Sequence, residues 1–176
     1  FVAAFHGSAT PDPVTETAAI TAQALRAHLE SLPTDRSIRG DEADLEGLER
    51  TAALIERTLS ELGCEVQTQP VIWAPRMRPE GDEPVRSVES RNIWADLPGT
   101  DLPGEVLVIA AHYDAVDGTP GADDNGTGVA AALELARVLR STPLRRTVRV
   151  LFPTAEEVGL VGARRYVEEI AAPAIE

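Results

Sequence analysis

The stretch that decides the fold runs from Glu105 to Phe152 and reads EVLVIAAHYDAVDGTPGADDNGTGVAAALELARVLRSTPLRRTVRVLF. Its two ends, Glu105–Ala111 and Thr147–Phe152, are short β-branched runs of strand length. Between them Thr127–Arg140 is apolar on most sides, with Val129, Leu133, Ala136 and Leu139 as a spine at helical spacing. A strand, a helical crossover and a second strand predict a parallel pair in which the crossover is right-handed.

Working outward, the patterning predicts one domain. Thr15 offers an N-cap for an apolar-periodic run through Leu32, and a second amphipathic helix is predicted from about Ala43 to Leu62, ended by Gly63. Cys64–Ala74 and Ser87–Leu97 read as strands separated by a surface loop rich in Pro, Gly and charge, Pro75 to Pro84. A last helix is predicted from about Leu160 to Ile170. The expected fold class is α/β: a three-layer α/β/α sandwich with a mixed, mostly parallel sheet. Residues 1–14, a turn-rich start with two prolines, form an N-terminal arm, and residues 15–176 form the single domain.

Composition narrows the function. Among 176 residues, Asp and Glu number 29 against 16 Lys and Arg, a net charge of -13 that would repel a polyphosphate backbone, so nucleic acid is not an expected partner. Every basic residue is Arg, which removes a Walker P-loop, a pyridoxal Schiff base and any lysine base. The run Arg137, Arg140, Arg145, Arg146 and Arg149 reads as a solvated face. The longest apolar run falls far short of the roughly 20 residues that span a bilayer, so no membrane span is expected. The lone Cys64 has neither a disulfide partner nor a nearby His and reads as a small apolar residue. The apolar start Phe1–Phe5 fits either the end of a removed signal segment or the point where a fragment begins, and the first reading gives a secreted or periplasmic expectation.

Chemistry gathers where parallel strands end, because loops and helix N-termini converge there. His112 follows the first strand directly, the acidic turn GADDNGTG precedes the crossover helix, and Glu156-Glu157 stands just past the second strand. An imidazole with several carboxylates at one sheet edge is the donor set of a divalent metal such as zinc. Each residue also has a bland reading: a core histidine for His112, an exposed loop acid for Asp114, a helix cap for Asp123 and Asp124, and a solvated helix start for the Glu pair. Two adjacent glutamates can divide labour, one ligating metal and the other accepting a proton from the attacking water. His6, in the arm, and His28, on the exposed side of the first helix, are expected to do nothing catalytic.

With these residues in place, the chain resembles the co-catalytic dizinc aminopeptidases of the aminopeptidase S and aminopeptidase Y type. SRNIWADLPGT (90–100), VLVIAAHYDAVDGTPGADDNGTGVAAALELARVL (106–139) and RRTVRVLFPTAEEVGLVGARRYV (145–167) carry the resemblance. It implies a zinc-peptidase-like fold and a site of two zinc ions. In it His112 binds one metal, Asp123 bridges both, Glu157 binds the other, Glu156 is the general base and Asp114 is the partner that orients His112. It implies peptide substrates cut at the amino terminus, related carboxypeptidases or dipeptidases being the neighbouring alternative, and a cis peptide between Asp123 and Asp124. The family adds a later Asp and His, and none follows Glu157 here, so the expectation is a fold incomplete at the C-terminus, a chain truncated before its last metal ligands and inactive alone. Two other classes stay open: a catalytically silent binding domain, and a phosphate or nucleotide binder, which would need a basic contact near Gly121–Gly128 that the sequence does not place in reach.

Overall fold

The computed structural model describes residues 19–75 and 86–172. The arm at 1–14, His6, Thr15 and nearly all of the loop at Pro75–Pro84 lie outside the described residues, and the helix expected to be capped by Thr15 has its N-cap at Thr21 instead. The elements in chain order are α1 (Ala22–Ser31), α2 (Glu42–Glu61), β1 (Val66–Trp73), β2 (Val88–Leu97), β3 (Leu102–Ala110), α3 (Thr127–Arg140), β4 (Arg146–Phe152) and α4 (Val161–Tyr166), which continues as a wider turn over Val167–Ala171.

Local chemistry explains the helix ends. Thr21 caps α1 through its hydroxyl, which accepts from the Ala24 N–H at 3.1 Å. Asp41 caps α2 by accepting from the N–H of Ala43 and Asp44, while the Asp44 carboxylate returns to the Asp41 N–H, a reciprocal capping box. Gly63, with φ +74, ends α2 in the left-handed conformation that glycine alone adopts freely.

The four strands form one sheet in the order β1-β2-β4-β3. The β3–β4 pair is parallel, with Ile109 opposite Val150, as the crossover pattern requires. The sheet is mixed as expected, but among the described strands parallel pairing is the minority: β2 runs antiparallel to both β1 and β4. Only β3 and β4 are joined by a crossover helix. β1 and β2 follow each other through a loop and pair antiparallel, which crossover counting does not address.

Alternating residues of β2 and β4 face opposite layers. Ile93, Ala95, Val150 and Phe152 join Ile55 and Leu59 of α2 and Leu133 of α3 in the main core, while Trp94 and Leu151 meet Tyr166 of α4 on the other face. The result is the three-layer arrangement. Arg149 belongs to that second layer. It makes paired 2.6 Å bonds to both Asp96 oxygens, donates to the Tyr166 hydroxyl at 2.8 Å and lies over the Trp94 ring, so it is a fixed packing element rather than part of a solvated stripe. His28 also departs from expectation, with Nε2 3.1 Å from the buried Glu134 carboxylate of α3. β3 is one of the two edges of the sheet among the described strands, and Val106, Leu107 and Val108 remain 44–57% exposed there.

Candidate metal centre

The parallel ladder places the site. Past the last paired residues it continues with the Ala111 N–H bonded to the Leu151 carbonyl at 3.0 Å and the Tyr113 N–H to the Pro153 carbonyl at 3.3 Å. His112 and Glu156-Glu157 therefore leave the sheet side by side at its carboxyl edge. One ligand atom from each of His112, Glu156 and Glu157 lies within 4.8 Å of the others.

Asp114 is fully buried and organises the pair of strand ends. Its Oδ1 accepts from the Glu156 N–H and its Oδ2 from the Glu157 N–H, each at 3.1 Å. The turn that presents both N–H groups is built on Ala155, whose φ of +56 lies in the left-handed region that alanine adopts only at a cost of about 1–2 kcal/mol. Consecutive N–H groups aimed at one anion form a small nest.

The His112 ring is held from both nitrogens. Nδ1 is 3.2 Å from the Asp114 carbonyl and 3.6 Å from Asp114 Oδ1, and since a carbonyl only accepts, Nδ1 carries a proton there. Nε2 points into the carboxylate cluster, 3.0 Å from Asp124 Oδ1 and 3.8 Å from Glu156 Oε2. Burial opposes protonation of the ring, but Asp114, then Asp124 and Glu156, outweigh it and push the imidazolium pKa up to about 9. Burial raises the Glu157 carboxyl above its usual range, with the Asp124 charge adding to the effect and His112 opposing it.

The acid brought to His112 is Asp124, not Asp123. Gly121, at φ +52, opens the turn 122–126, and the non-helical backbone of Asp124 (φ -110, ψ 96) sends its side chain back toward the strand end. Both acids are exposed, Asp124 with 78% of its side chain accessible, but it is Asp124 that reaches the imidazole, while the Asp123 carbonyl accepts from the Thr127 hydroxyl at 3.0 Å. The cis peptide correspondingly falls at Asp124–Asn125, one residue later than expected. Of the five expected site residues, the structure thus gathers His112, Asp114, Glu156 and Glu157, adds Asp124 and leaves Asp123 outside. Hydropathy gives adjacent acids in a turn no distinguishing mark. The one local signal is that Asp124 abuts Asn125-Gly126, where the chain bends into α3.

The donor set fits zinc. It supplies one imidazole and several carboxylates, the His112 Nδ1 side is occupied by a carbonyl and a carboxylate as in ligating histidines, and the buried Glu157 Oε1 has no hydrogen-bond partner among the described residues.

Residues 92–176 match the model of Peptidase family M28. Aminopeptidase YwaD of Bacillus subtilis (strain 168) is 43% identical over 67 residues, covering 38% of this chain and 15% of the relative. The probable lipoprotein aminopeptidase LpqL of Mycobacterium tuberculosis is 43% identical over 86 residues, covering 48% of this chain and 17% of the relative. The chain thus spans less than a fifth of these curated relatives. The solved aminopeptidase from Aneurinibacillus sp. strain AM-1 superimposes with a TM-score of 0.73 at 15% identity, over 88% of this chain and 68% of that one, a likeness of fold.

Proposed function

From the match of residues 92–176 to Peptidase family M28, we propose that the chain carries the catalytic strand ends of a zinc-dependent aminopeptidase that releases amino-terminal residues from peptides. The observation that carries this reading is the convergence of His112, Glu156 and Glu157 at the carboxyl edge of β3 and β4, with Asp124 Oδ1 3.0 Å from the His112 ring. The two relatives, both named aminopeptidases, support the amino-terminal direction.

His112 through Nε2, Asp124 and Glu157 are the residues to hold zinc. When bound, zinc supplies Lewis-acid polarisation of the scissile carbonyl and makes water a better nucleophile near neutral pH. The protein does the rest. Asp114 fixes the imidazole with its lone pair toward the site and presents both glutamates by their main chain. Glu156, with Oε2 at the rim of the cluster, accepts the proton of the attacking water and returns it to the leaving amine.

One relative's description as a lipoprotein supports an exported protein, checked by activity in the culture medium or periplasmic fraction. The reading itself is tested by titrating the chain with zinc and by assaying an aminoacyl-anilide on the protein that carries this segment. Zinc uptake lost on His112→Ala, with zinc-dependent release of the anilide, is the expected result. Absence of uptake by the folded chain would overturn it.

A further inference from the structure

The loop between α1 and α2 has no part in the chemistry above, yet it sends the largest fully buried side chain, Arg36, beneath the site. Arg36 is 2% exposed and donates four hydrogen bonds, all to main-chain carbonyls: Nε to Tyr113 at 3.0 Å, Nη1 to Pro33 at 2.8 Å and Pro120 at 2.7 Å, and Nη2 to Gly121 at 2.6 Å. Its own carbonyl accepts from the Ala115 N–H at 3.3 Å. Burying a guanidinium without a directly bonded carboxylate is costly, so such a residue persists where its geometry is needed. Pro33 lies in the same loop, and the other three carbonyls belong to two separate segments: Tyr113 follows His112, and Pro120 and Gly121 open the turn that delivers Asp124. The fit is close, since a Cβ on Gly121 would lie 2.7 Å from Arg36 Nη2 and 2.6 Å from the Ala115 Cβ.

We propose that Arg36 is the positioning residue of the metal centre: its rigid fork ties the His112 strand end to the Asp124 turn and so sets the spacing of imidazole and carboxylate. The fork acts on main chain alone and touches neither ligand. A lysine, with one ammonium on a flexible stem, cannot span the same four acceptors. The part of the inference that concerns metal rests on the zinc reading above; the tie between the two segments does not.

The test compares Arg36→Gln and Arg36→Lys with Leu59→Ala, a core substitution in α2 that destabilises the fold away from the site. Amide exchange is followed by mass spectrometry on the metal-free chain, and zinc affinity is measured against a chromophoric chelator. Arg36→Gln should speed exchange over residues 112–126 at least about tenfold relative to the rest of the chain and weaken zinc about 10- to 100-fold, the range typical for residues that orient ligands. Arg36→Lys should not rescue either. Leu59→Ala, at a matched loss of Tm, should raise exchange evenly and change zinc affinity less than about twofold. Native-like exchange over 112–126 in the Arg36 variants, or variants indistinguishable from Leu59→Ala, overturns the proposal. Should Arg36→Gln fail to fold, Arg36→Lys is judged by the same two criteria. A wild-type chain that takes up no zinc refutes the metal reading, and the selective exchange then decides the tie alone.

Discussion

Asp114 and Glu157 are joined through the main chain: Asp114 Oδ2 accepts the Glu157 N–H at 3.1 Å, and Oδ1 takes the neighbouring N–H of Glu156 at the same distance. The carboxylate of Glu157 thus stays directed into the cluster. An amide at position 114 offers one acceptor where two are used. Asp114→Asn is expected to weaken zinc binding about 10- to 100-fold with the fold retained, read by competition with a chelator and by circular dichroism.

The two acids of the acidic turn should separate cleanly. Asp124 contacts His112 and Asp123 makes no such contact, so Asp124→Asn should abolish the chain's zinc uptake, whereas Asp123→Asn should leave it within about twofold. Isothermal titration of both variants checks this, and equal losses would return Asp123 to the site.

Glu156→Gln preserves shape and removes the base. In the protein that carries this segment, kcat on an aminoacyl-anilide should fall about 10²- to 10⁴-fold, with zinc affinity changed far less. A parallel collapse of zinc binding would make Glu156 a ligand in place of a base.

His112 makes stability depend on pH. Its folded pKa, about 9, exceeds the value near 6.5 of an unfolded histidine, so its contribution is fully present below about 6.5, declines as pH rises and is gone above about 9. The metal-free chain, in the presence of a chelator, should therefore lose Tm between pH 6.5 and 9, and His112→Asn should flatten that slope. Zinc needs the neutral imidazole, so uptake below pH 9 should release a proton, measurable as a buffer-dependent heat.

The strand-end positions were legible because parallel pairing converts sequence order into position: β3, α3 and β4 stand where the apolar runs put them, and His112 and the glutamates follow. The choice between Asp123 and Asp124 was not legible, since it depends on backbone angles within a turn. Arg36 left no signal either. A single Arg in an aperiodic loop looks solvated, and only the tertiary fold brings Tyr113, Pro120 and Gly121 to it. The antiparallel setting of β2 against β1 and β4 escaped as well, because strand direction is fixed by tertiary pairing rather than by the apolar runs.

The bonds made by Arg36 leave a slack interval between them. Residues 116–119 are exposed, and a Cβ on Gly118 would meet nothing within 4 Å, while Tyr113 on one side and Pro120 on the other are pinned. A residue added there lengthens a surface loop. A residue added between Ala110 and His112 turns the imidazole to the opposite face of the sheet, because side chains alternate along an extended chain. Related chains are thus free to vary in the number of residues separating the histidine from the turn aspartate and held to a fixed count within each strand end, so a search pattern with a rigid gap across 116–119 would pass over true kin.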